Sequence, residues 1–224
     1  MPLNLDIIRS RRDFFKILIG LSMKAASVAG LLAISVPSAA AFFKRQLLPV
    51  GTDPSRLYDE DPKYLDTRNL EITPMIKFDT MGDSQIEVDS DKWRLEVTGD
   101  VRKPLQLSYP ELLKLPPIKR KVLLICAGLF SYHAEYTGVS LRNLLKMSTA
   151  AKEASRLTFY GRTEFIVDKK ERFGISEITE DKLMLAYSVN GQPLPRQHGF
   201  PLRLVADDHC GNRWVKYVYK VKIS

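Results

Sequence analysis

Two cysteines and three histidines carry the softest donor chemistry in this 224-residue sequence: Cys126, Cys210, His133, His198 and His209. A thiol can serve as a metal ligand, a nucleophile, half of a disulfide or a small buried hydrophobe. No pair among the five has the tight spacing of a structural zinc motif. A bridge between Cys126 and Cys210 would close a loop of more than 80 residues and add at most about 5 kcal/mol in the chain-entropy model. Cys126 ends the apolar run "KVLLIC" and is followed by Ala127 and Gly128, small residues that leave room for a bulky group to approach the backbone. The residues alone leave disulfide, core thiol and ligand standing.

Cations form the second set of candidates. Arg203 stands between Leu202 and Leu204 in an apolar stretch, where a guanidinium needs an anionic partner. Arg213 offers a second planar fork of donors and Lys216 a point charge, although Lys216 also fits an alternating row of solvent-facing lysines. The chain has 34 basic and 26 acidic side chains and a net charge of +8. The basic residues are scattered without a cluster of interleaved aromatics, which argues against nucleic-acid binding and suits an anionic cofactor better.

The elements that must position these residues follow from periodicity. "WRLEVTG" alternates as a half-buried strand, and "SYPELLKLP" opens with Ser108 and Glu111 in capping-box spacing, which predicts a short helix stopped at Pro116. "KVLLIC" and "RLTFYG" read as strands, and "SLRNLLKM" puts Leu141, Leu144 and Leu145 on one helical face. Asn190-Gly191 predicts a tight reversal before "FPLRLV". In "WVKYVYKVKI" the residues Val215, Tyr217, Tyr219, Val221 and Ile223 are expected on one strand face. The expected class is α+β, with mixed sheets and short helices.

Three regions are expected along the chain. Residues 1–41 hold Arg11, Arg12, Phe14, Phe15 and Lys16, a mildly apolar stretch weakened by Ser22, Lys24 and Ser27, and the small residues Ser38 to Ala41. This pattern is that of a twin-arginine export signal, used for proteins that fold around a cofactor before export to the periplasm, and an uncleaved signal would tether the chain to the membrane. Residues 42–90 show neither helical nor strand periodicity and read as an extended arm docking through Tyr58, Tyr64, Leu65, Leu70, Ile72 and Met75. Residues 91–224, with the periodic strands and helices, are expected to form the main folded domain. Removing the signal leaves a net charge of +5, because it holds five of the basic and two of the acidic residues.

Several fragments together resemble the molybdopterin-binding domain of the sulfite oxidase family: "TRN" at Thr67, "LEVTGDVRKPLQLSYPELLKLP", "CAG" at Cys126, "YTGVSLRNLL", and "VNGQPLPRQHGFPLRLV" followed by "GNRWVKYVYKVKI". The similarity runs from Thr67 to Ser224, and the pairing of the last two fragments is its most specific part. It implies a sulfite-oxidase-like molybdopterin-binding fold and a mononuclear molybdenum with molybdopterin, ligated by Cys126. It implies that His198, Arg203, Arg213 and Lys216 hold the pterin and its phosphate, with the backbone at Trp214 and Val215. It further implies that Arg68 and Asn69 of the arm close over the cofactor and that Gly161 lies in a loop approaching it. The implied activity is oxygen-atom transfer on a small sulfur oxyanion such as sulfite. The alternatives are sulfoxide reduction, including protein methionine sulfoxide, and a degenerate binding module. A separate haem or quinone-linked protein would exchange the electrons. The chain departs from the sulfite pattern just after Cys126, where "CAGLFSYHAEYTG" lacks arginines, so any further substrate charge would come from Arg162, His133 or the arm.

Overall fold

The computed structural model describes residues 45–164 and 166–224. The export signal expected over residues 1–41 lies outside the described residues. Two five-stranded sheets carry the fold. The first is built on a long hairpin, β5 (Pro117–Cys126) and β6 (Phe130–Ser140), paired antiparallel from Pro117↔Val139 to Cys126↔Phe130. Strand β9 (Leu183–Val189) pairs with β6 on one edge. Its other edge takes β10 (Gln192–Pro193) and β11 (Arg203–Ala206).

The second sheet runs β4-β3-β12-β7-β8, from β3 (Arg94–Gly99), β4 (Leu105–Ser108), β7 (Arg156–Gly161), β8 (Lys169–Gly174) and β12 (Val218–Ile223). β12 pairs parallel with β3 and antiparallel with β7, so it joins two hairpin-like halves. Leu204 and Val215 bridge the sheets, with Leu204 N–H donating to the Val215 carbonyl at 2.8 Å.

The expected strands and helices appear where the periodicity placed them. Helix α1 (Tyr109–Leu113) carries the Ser108/Glu111 capping box in both directions, and Leu112 is its buried residue. Ser108→Ala removes that cap, and urea unfolding is expected to show a loss of about 1 kcal/mol. Helix α2 (Leu141–Ser148) buries Leu141 and Leu144, and helix α3 (Ile175–Thr179) buries Ile178. Asn190 and Gly191 have φ of 47° and 77°, both left-handed, as a tight hairpin turn requires.

The expected alternation in "WVKYVYKVKI" fails at one point. The register shifts between Val218 and Lys220, and Tyr217 has φ 53°, so Val218, Val221 and Ile223 face the core while Tyr219 is only half-buried. A bulge of this kind inserts a residue and re-aims the segment before it. Here that segment is Trp214–Lys216.

The described part of the arm lies on the outer face of β5. Leu48, Leu57, Leu65 and Leu70 cluster with Leu123 and Ile125, whereas Tyr58 and Tyr64 stay exposed. Short strands β1 (Gln46–Leu47) and β2 (Leu65–Asp66) pair parallel within it. Bonds tie the arm to the hairpin after Cys126: Gly128 N–H donates to the Tyr58 carbonyl at 2.9 Å, Ser131 Oγ to the Pro54 carbonyl at 2.6 Å, and Thr73 N–H to the His133 carbonyl at 2.8 Å. Among the described residues no helix is long and apolar enough to cross a membrane.

Candidate active site

A cavity of about 350 Å³ opens where β5 ends. Its wall combines Leu124, Cys126, Phe130 and Tyr132 from the hairpin with Arg203 from β11, and with Gly211, Asn212, Trp214, Lys216 and Tyr217 from the segment leading into β12. Arg162 and Thr163 contribute from the β7–β8 connection, Lys169 from the start of β8, and Asp79–Asp83 from the arm.

Cys126 and Cys210 are both free thiols. The last β5 residue brings Cys126 to the cavity because the strand stops there. Leu129 N–H donates back to the Cys126 carbonyl at 2.9 Å, and Gly128 turns with φ 75° into open space. Gly211 lies against this strand end: a Cβ there would stand 3.3 Å from the Ile125 carbonyl oxygen and 3.8 Å from Cys126 Cα. Burial pushes the Cys126 thiol pKa up.

Arg203 is buried and, among the described residues, has no carboxylate at ion-pair distance. Its guanidinium lies 5.1 Å from the Trp214 ring centre and 6.0 Å from that of Tyr136, while its Nε and the Tyr136 hydroxyl are buried without a hydrogen-bond partner. Lys216 is half-buried rather than solvent-facing. Its pKa is held down to about 8 by burial and then by the Arg203 charge. Its Nζ donates to Thr80 Oγ1 at 2.9 Å and to the Gln197 carbonyl at 3.0 Å, both neutral acceptors. Two neighbouring cations, one with an orphaned donor, describe a place for an anion. Gly199 supports it: with φ 103°, a Cβ there would stand 3.0 Å from Lys216 Cα.

His198 is buried behind this pair, edge-on to Phe78 and Tyr132. Burial first, then the Arg203 and Lys216 charges, push its pKa down to about 4. The folded chain therefore refuses a proton that the unfolded chain accepts near pH 6.5, so this group costs stability as the pH falls from 6.5 towards 4. Melting of the cofactor-free protein is expected to drop more between pH 7 and 4.5 than that of His198→Gln.

The remaining expected residues sit elsewhere. Arg213 turns away from the cavity: its Nε lies 3.1 Å from Glu171 Oε2, its Nη2 donates to the Arg172 carbonyl at 2.6 Å, and its guanidinium rests 4.5 Å from the Phe173 ring centre. Gly161 is the last residue of β7, not part of a loop. A Cβ on it would stand 2.2 Å from the Lys216 carbonyl oxygen and 2.5 Å from Val215 Cγ1, so its lack of a side chain lets the Val215–Lys216 backbone lie close. Val215 is fully buried. Arg68 folds back on Asp66 at 2.6 Å, and the Asn69 amide donates to the Leu48 carbonyl at 3.0 Å; neither lines the cavity. His133 is buried against the Glu71 carbonyl and does not line it either.

The arm residues that do reach the cavity are Asp79–Asp83, and sequence reasoning missed them because the tract has no periodicity. Lys169, also missed, lines the cavity while bonded to Glu171 Oε1 at 3.0 Å. Arg162, named as a source of charge, lines it and stacks 5.6 Å from the Tyr219 ring centre.

The cavity residues fit an anionic, thiol-ligated group: a free thiol at one wall, and an orphaned Arg203 Nε beside Lys216 at another. A comparison with known proteins agrees. The family model for the oxidoreductase molybdopterin binding domain matches residues 81–224. The protein-methionine-sulfoxide reductase catalytic subunit MsrP of Gluconobacter oxydans (strain 621H) is 29% identical over 58% of this chain and 46% of its own length. The inducible nitrate reductase [NADH] 2 of Glycine max is 30% identical over 59% of this chain and 18% of its own. The crystal structure of the sulfane dehydrogenase SoxCD from Paracoccus pantotrophus superposes with a TM-score of 0.63 at 26% identity, covering 92% of this chain and 58% of that one. The chain thus spans less than two thirds of each of these relatives. The matched model takes in the thiol, Arg203 and Lys216, and all of β3 to β12, and the chain belongs to the oxidoreductase molybdopterin-binding domain family, in the sulfite oxidase group, whose cofactor is molybdenum with molybdopterin.

Proposed function

We propose that this protein is an exported oxidoreductase that moves an oxygen atom to or from a sulfur substrate at one molybdenum ligated by Cys126, and that its working direction is sulfoxide reduction. When bound, the cofactor supplies the two-electron oxygen exchange. The chain supplies the rest. Cys126 provides a soft ligand, and Arg203 and Lys216 hold the anionic tail. The neutral His198 ring backs them, and the Trp214 and Val215 backbone fixes their spacing. Gly161 acts by letting that backbone approach. Arg213 acts through its hold on β8, and Arg68 and Asn69 by shaping the arm.

One observation carries the direction. The Met81 thioether sulfur stands 3.6 Å from Cys126 Sγ, in a wall made of Leu124, Phe130 and Tyr132. A neutral dialkyl sulfur therefore suits this wall, and the similarity to a protein-methionine-sulfoxide reductase subunit supports it. Oxidation of a sulfur oxyanion such as sulfite is the second reading, favoured by Arg162 and Lys169 on the same cavity. Export to the periplasm by residues 1–41, membrane attachment through an uncleaved signal, and electron exchange with a separate haem or quinone-linked protein complete the proposal.

The test is expression in a molybdopterin-competent cell, then metal analysis and pterin fluorescence on the folded protein. Methionine sulfoxide with reduced viologen is run against sulfite with ferricyanide. Bound molybdenum with sulfoxide consumption is expected. Sulfite turnover alone selects the second reading, molybdenum without turnover selects a binding module, and absence of molybdenum ends the enzyme reading.

A further inference from the structure

The arm residues over the cavity are held in an unusual way. Phe78 anchors one end by stacking on Tyr132, ring centres 4.1 Å apart. At the other end the Tyr217 hydroxyl donates to the Asp83 carbonyl at 3.4 Å. Among the described residues, no backbone–backbone hydrogen bond involves residues 79–88. Between the anchors, the segment is fixed by two side chains. Thr80 Oγ1 accepts from Lys216 Nζ and donates to the Gln197 carbonyl at 3.1 Å, and the Met81 thioether accepts from the Cys126 thiol at 3.6 Å. Gly82 follows with φ 72° in open space, and Met81 is 60% exposed. Segments with few backbone bonds and little burial open at low free-energy cost.

The two holds touch the two ends of the site. One occupies the cavity lysine and the other covers the thiol. Lys216 now donates to neutral oxygens, and an oxyanion is a stronger partner for an ammonium than a threonine hydroxyl.

We propose that residues 79–83 form a displaceable strap over Cys126, released when a phosphate-type oxyanion takes Lys216 from Thr80. Binding of the anionic tail then uncovers the thiol, so the tail engages before the metal end. The strap rests on the family reading that the cavity takes an anionic cofactor, but it concerns the cofactor-free chain and is readable without turnover.

The experiment uses cofactor-free protein, made in cells that lack molybdopterin, with inorganic pyrophosphate as the probe. Iodoacetamide labelling is followed by peptide mass spectrometry, with Cys210 as the internal reference and circular dichroism confirming each variant's fold. Cys126 in the unsubstituted protein is expected to label about tenfold more slowly than in Met81→Ala or Thr80→Val, the factor that one net hydrogen bond corresponds to. Pyrophosphate should raise the rate towards that of the variants. Lys216→Met should label fast from the start and ignore pyrophosphate. Three results would overturn the strap: equal rates with and without Met81 and Thr80; pyrophosphate that binds by calorimetry yet leaves or slows the Cys126 rate; and pyrophosphate that does not bind. Molybdenum content of protein from competent cells is scored separately, so failure of the strap and failure of the enzyme reading remain distinct.

Discussion

Cys126→Ser is expected to yield a folded protein that holds little or no molybdenum and has lost turnover by well over 100-fold, more than outer ligand-supporting residues typically contribute. Cys126 is the last residue of β5, its side chain lines the cavity, and its main core neighbours, Ile125 and Leu124, are untouched by the change. The stability loss should therefore stay within about 1 kcal/mol. A serine oxygen is a harder, poorer donor for a metal that takes soft thiolates. Metal analysis, activity and circular dichroism on the same sample check it. A Cys126→Ser protein with full molybdenum and full turnover would remove the thiol from the ligand role.

The second large effect is on folding. Gly138 lies in β6 at the register shift against β9, and a Cβ there would stand 2.0 Å from the Leu185 carbonyl oxygen and 2.6 Å from Ala186 Cα. Both obstacles are backbone in the middle of the sheet, so neither can swing aside. Gly138→Ala is expected to cost about 3 kcal/mol or more, at the upper end of overpacking effects, a large share of an ordinary domain's stability. Gly191→Ala is the contrast, since its left-handed φ faces open space and should cost about 1 kcal/mol. Urea midpoints for the two variants measure the difference; near-equal values would show that β9 can yield.

These two positions also mark what a sequence discloses. Cys126 stood out because an apolar run ended on a thiol followed by two small residues, and because "HGFPLR" and "GNRWVK" lay downstream. Strands and helices with clear periodicity, such as "KVLLIC" and "SLRNLLKM", were legible because the period is set by their own burial. The need for a bare Cα at Gly138 was not, because it comes from β9, some 50 residues away. Arg213 reads as a cavity cation in isolation, and only the pairing of β7 with β8 reveals Glu171 beside it. The strap was hidden for a related reason: its order depends on Lys216, Gln197 and Cys126, none of them local to "FDTMGD".

β12 has a consequence for how ligand and fold communicate. It is the keystone of its sheet, since the β4-β3 half and the β7-β8 half meet only across it. Its pairing with β3 spans more than 100 residues of chain, so its docking closes a long loop at a large entropic cost. Trp214 and Lys216, which line the cavity, lie immediately before this keystone. An occupant of the cavity thus clamps the stretch of chain that locks the two half-sheets together. Binding in the cavity is therefore expected to stabilise the docking of β12, and with it the whole sheet, as well as the site itself.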